Sequence, residues 1–105
     1  PRCGAAQRAR WQSPAYRSHM VATGLQSVSE APEGERNRTL HRWACRFGEA
    51  VGAGVLDAGF AEAELVAAAM VNGLDEAEAR ATARSGLGTG ADSIPAPFEP
   101  IEETA

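Results

Sequence analysis

The sequence predicts an all-α protein: a small three-helix bundle flanked by disordered N- and C-terminal tails. Three observations carry that expectation. Leu40, Trp43, Ala44, Phe47 and Val51 fall at helical spacing and draw one apolar stripe. The stretch from Ala58 to Val71 is rich in alanine and runs into Asn72-Gly73. Asp75, with Glu78 placed after it, reads as the aspartate form of a capping box. The boundaries that follow are a flexible leader or linker over residues 1–33, a helical domain over 34–90, and a disordered acidic tail over 91–105.

Residues 1–33 show neither a helical nor a strand period. Pro14, Gly24, Pro32 and scattered serines break each candidate element, and Trp11 and Tyr16 lack apolar partners at useful spacing. Residues 20–28 carry at most a short turn of helix. The first helix begins near Asn37 or Thr39, whose side chains accept from free N–H groups at a helix start. It runs to about Ala53, with Gly52 and Gly54 as its stop. The second spans Ala58 or Ala61 to Val71. Its Phe60, Leu65, Val66 and Met70 share no single face, the pattern of a helix sandwiched between neighbours. The third is capped by Asp75 and closed by Gly86, with Ala79, Thr82, Ala83 and Leu87 on its apolar side. From Gly88 onward, glycine, Pro95, Pro97, Pro100 and four acids without a base read as the acidic tail.

A chain of 105 residues holds one small domain with tails, and its core is modest. All ten basic residues are arginine, which with the abundant alanine and glycine reflects codon usage in a GC-rich genome before it reflects function. Arg2, Arg8, Arg10 and Arg17 stand in residues 1–29 with no acid, giving +4, while six arginines against all fourteen acids leave the remainder at −8. That balance excludes a general nucleic-acid coat, so any contact with a polyanion is local. Cys3 and Cys45 stand far apart without a second pair or a histidine cluster, as reduced thiols of the cytoplasm do. No apolar run is long enough to span a membrane, and the N-terminus has no h-region. Beginning with proline, the chain reads as a piece of a longer cytoplasmic product.

Arg38, Arg42 and Arg46 form a ladder on the side of the first helix away from its apolar stripe, with Arg36 just before it. Within the helix only Glu49 is placed to neutralise any of them, and like charges in line cost stability unless something anionic arrives. A solvated face is the plain alternative. Arg80 has Glu76 one turn before it, whereas Arg84 has no such local partner. His19 and His41 belong to no catalytic spacing. Gly86-Leu87-Gly88-Thr89-Gly90 imitates a phosphate loop but lacks its lysine, its preceding strand and its following helix. Asn37-Arg38-Thr39 matches a glycosylation sequon, which matters only in a secreted chain. With no acid pair, nucleophile–base pair or metal set, the residues point away from an enzyme, a cofactor or a small-molecule substrate.

The order of features from Glu33 to Gly90 resembles the small helical domain that follows the polymerase core in bifunctional primase-polymerases of phages and plasmids. The entry Glu33-Gly34-Glu35-Arg36-Asn37-Arg38-Thr39-Leu40 carries the resemblance, with Arg42-Trp43-Ala44-Cys45-Arg46 after it. Gly73-Leu74-Asp75-Glu76-Ala77-Glu78-Ala79 and Thr82-Ala83-Arg84-Ser85-Gly86-Leu87 complete it. The resemblance implies a role beside primer synthesis in DNA replication, linking a catalytic core to a helicase or to template DNA. Arg36, Asn37, Thr39 and Arg84 map onto recurring polar positions of that family. The polymerase core's aspartate and histidine motifs are absent, so primase activity is not implied.

The resulting expectation is a noncatalytic replication module that contacts DNA, a helicase or a primase core through Arg36, Asn37, Arg38, Arg42, Arg46 and Arg84. The rivals are a helix-turn-helix regulator that reads DNA with the third helix, and a protein-interaction domain whose arginines meet an acidic partner.

Overall fold

The structure, a computed structural model, describes residues 9–93. It is all-α, and four helices follow a helical turn at residues 9–11: α1 (Pro14–Glu30), α2 (Arg36–Gly52), α3 (Ala58–Val71) and α4 (Glu76–Asp92). The helices expected from the sequence are α2, α3 and α4. Of the tails expected to be disordered, residues 1–33 and 91–105, only 1–8 and 94–105 lie outside the described part; Pro14–Glu30 is a helix and Ala91 and Asp92 end another.

Helix α1 corrects the reading of residues 1–33 as a flexible leader. Pro14 begins the helix, because a first-turn proline needs no N–H partner and its fixed φ suits the helix. Ser13 caps it, its Oγ accepting from Tyr16 N at 3.2 Å. Met20, Gly24 and Val28 fall on one buried face. Gly24 belongs there because Trp43 and Phe47 lie against its Cα: an added Cβ would stand 2.6 Å from Trp43 Cε3 and 2.8 Å from Phe47 Cε1. The helix ends before Pro32, and Asn72 Nδ2 donates to the carbonyls of Val28 and Ala31 at 3.1 and 2.9 Å. That one amide satisfies carbonyls left open at the end of α1 and ties it to the exit of α3.

Helix α2 starts at Arg36, slightly earlier than expected, and Glu35 at its N-cap makes no side-chain capping bond. Leu40, Ala44 and Phe47 are fully buried, while Trp43 and Val51 are half-buried at the edge of the stripe. The helix closes as expected around Ala53, and Gly54 takes a left-handed φ of +81°. Helix α3 keeps its expected bounds, with Asp57 accepting from Phe60 N at 2.8 Å. Asp75 caps α4 by accepting from Ala77 N and Glu78 N at 3.0 and 3.3 Å. Glu78 does not complete a reciprocal box: its carboxylate receives Asn37 Nδ2 instead.

Helix α4 does not close at Gly86 but continues through Gly88 and Gly90 to Asp92. An added Cβ on Gly90 would collide with the Cys45 carbonyl, and one on Gly86 would stand 2.5 Å from Ala44 Cβ and 2.9 Å from His41 O. These glycines let the α4 backbone lie directly on α2, so helix packing outweighs their weak propensity. Helices α2 and α3 form the middle of the bundle. Helices α1 and α4 each pack against both of them, and the α1 and α4 backbones stay apart.

The main core joins Leu40, Phe47, Leu65, Val66 and Leu87 with alanines from three helices. A second cluster gathers Trp11, Met20, Ala50 and Ala53 at the start of α1. Trp11, which the sequence leaves without apolar partners, is 1% exposed, edge-on to Tyr16, and donates its indole N–H to Glu49 Oε1 at 3.3 Å. Among the described residues no helix is long and apolar enough to cross a membrane.

Candidate nucleic-acid interface

Because α2 turns its apolar stripe inward, the residues between its seams with α1 and α4 face out. Arg38, Arg42 and Arg46 are all exposed there. One turn separates each from the next, a rise of about 6 Å. None of the three forms an ion pair among the described residues. The Arg46 guanidinium lies over the Trp43 ring, 5.2 Å from its centroid, which restrains it. Beyond Arg46 the face opens into a cavity of ≈ 200 Å³ lined by Arg10, Trp11, Tyr16, Met20, Arg46 and Glu49. Arg10 is exposed at its rim, so the turn before α1 adds a cation that sequence spacing did not connect with the ladder.

The other sequence-selected residues are engaged within the fold. Asn37 Nδ2 donates to Glu78 Oε2 at 3.0 Å and to Thr82 Oγ1 at 2.7 Å, joining the start of α2 to α4. Arg36 is half-buried against the Gly73 turn, with its Nε lacking a hydrogen-bond partner. There it lies near the C-terminal end of α3, where a cation meets the negative end of the helix dipole favourably. Arg84, read from the sequence as lacking a partner, donates from Nε to Glu62 Oε2 at 3.0 Å. Arg80 reaches the same oxygen at 3.0 Å and Glu76 at 2.7 Å. Those bonds, Glu76 first and Glu62 second, raise the Arg80 pKa.

Cys45 stands beside the ladder, its Sγ 3.8 Å from His41 Nδ1. Burial chiefly, and the negative charge of Glu49 secondarily, push its pKa upward, so at neutral pH it is a protonated thiol. Among the described residues no three histidine, cysteine or carboxylate side chains gather as a metal site. What the face offers chemically is a row of fixed positive charges.

The chain was compared with models of protein families, with curated proteins and with solved structures, and none of the three gives a match.

Proposed function

We propose that the chain is a noncatalytic helical module of a DNA replication protein, of the primase-polymerase accessory kind, that contacts DNA through the outward face of α2. The observation that carries the reading is the contrast between the two arginine sets. Arg80 and Arg84 are neutralised by Glu62 and Glu76, whereas Arg38, Arg42 and Arg46 are exposed without ion pairs among the described residues. A helix-turn-helix regulator would present α4 as its reader, and the two arginines of that helix are already occupied. The ladder meets phosphates rather than base edges, so the expected binding is tolerant of sequence.

Salt-titrated binding to several unrelated DNA sequences tests this. Replacing Arg38, Arg42 and Arg46 together with alanine weakens binding about equally for each sequence. The slope of log K against log salt falls by about one unit per lost contact. Arg84→Ala leaves affinity unchanged. An intact chain with no affinity at low salt ends the DNA reading, and an acidic protein partner takes its place.

A further inference from the structure

Helix α3 turns a second apolar face away from the bundle. Phe60, Met70 and Val71 are 48%, 45% and 80% exposed, and Ala63 and Ala67 between them are exposed as well. The core side of α3 uses a different set, Ala61, Leu65, Val66 and Ala69. Single exposed apolar residues are ordinary on a protein surface. Here Phe60, Ala63, Ala67 and Met70 follow the alternating three-and-four spacing of a coiled-coil seam along the helix. Of the two acids on α3, Glu62 is bound to Arg80 and Arg84, and only Glu64 borders this face.

Two grooves between α1 and α3 lie at the ends of the seam. The one at Phe60, ≈ 370 Å³, is lined by Arg17, Val21, Ala22 and Leu56 and has no acid in its wall. The one at Val71, ≈ 500 Å³, is lined by Leu25, Ala68, Glu30 and Glu64 and has no base.

We propose that this face pairs with the same face of a second copy of the chain, the two α3 helices antiparallel about a two-fold axis between Ala63 and Ala67. Read along the seam, the side chains run bulky, small, small, bulky, which is the same in either direction, as an isologous contact requires. Ala63 of one copy then faces Ala67 of the other, and the helices approach closely. Phe60 reaches the groove beside Val71 of the second copy, while Met70 and Val71 reach the groove beside its Phe60. The charges agree with this orientation: Arg17 in one groove meets Glu30 and Glu64 of the other copy at both ends. A parallel pairing sets like charges together.

Sedimentation equilibrium of the full chain tests the pairing. The wild type forms a reversible dimer at roughly tens of micromolar, the range of a modest interface. Ala67→Glu, at an exposed helical position, weakens dimerisation about a hundredfold by bringing an unpaired carboxylate to the seam of each copy. Its helicity, and its melting at a dilution where both chains are monomeric, stay unchanged. Glu64→Arg weakens the dimer several-fold, and Arg17→Glu added to it recovers most of the loss. A wild type that stays monomeric at about ten times that concentration overturns the proposal. A dimer indifferent to Ala67→Glu overturns it too, as does a charge-reversed pair that fails to recover. None of these outcomes involves the arginines of α2, so the dimer and the DNA reading stand or fall separately.

Discussion

Along α2, the seam with α4 closes backbone to backbone, whereas the seam with α1 is filled by large side chains. On the α4 side, Gly48, Gly86 and Gly90 bring two helix backbones to contact at His41, Cys45 and Ala91. On the α1 side, Trp43 and Phe47 pack edge to face, 6.2 Å between ring centroids, over a single glycine, Gly24. Trp11 and Met20 fill the seam near the start of α1. The first seam draws its attraction from many close contacts between rigid backbones and has nothing that yields. The second is filled by aromatic rings, of which Trp43 is half-exposed and can shift.

The largest test of this contrast is Trp11→Ala. It removes the biggest fully buried side chain and leaves a cavity against Ala50 and Ala53, with an expected loss of about 3–5 kcal/mol in a denaturant titration. A loss under about 1 kcal/mol would mean that large side chains do not hold the α1 seam. Gly90→Ala is next, at about 2–3 kcal/mol, since the added methyl meets the Cys45 carbonyl and the backbone cannot retreat. That loss stands despite the better helix propensity of alanine. Gly24→Ala adds the same methyl on the other seam, where it meets ring edges. Trp43 is half-exposed and can turn aside, so the expected net loss is about 1 kcal/mol. Equal losses at Gly24 and Gly90 would erase the distinction between the seams. The smallest effect has the opposite sign. Gly88 has nothing within 4 Å of a new Cβ, so Gly88→Ala gains about 0.5–1 kcal/mol from propensity alone, read as a raised midpoint.

The same contrast explains which parts of the fold were legible in the sequence. Helix α2 was, because Leu40, Ala44 and Phe47 repeat at the helical period and large residues mark the buried side. Asp75 acts at its cap through local bonds, and such bonds leave a local signal. Helix α1 was hidden because Pro14 and Gly24 look like breakers, and because Trp11 finds its partners in α2 and the turn after it. The last turn and a half of α4 was hidden for a related reason: a glycine packed on another helix and a glycine leaving a helix are the same letter. At the candidate interface the ladder was legible from its spacing. The neutralisation of Arg84 was not, because Glu62 lies on another helix, 22 residues away in the chain. The bonds of Asn37 to Glu78 and Thr82 span 41 and 45 residues and are equally invisible to spacing.

The placement of the two indoles gives the protein a pair of built-in optical reporters. Trp11 is sealed from solvent in the cluster at the head of α1, with Glu49 on its N–H, and so emits toward the blue. Trp43 is half-exposed with Arg46 over its ring, and emits further to the red from the very edge of the arginine face. Trp43→Phe leaves a chain whose emission follows only the docking of the α1 start, and Trp11→Phe one whose emission follows only the ladder. In the second chain, an anion that draws Arg46 away from the ring changes the intensity before it changes any secondary structure.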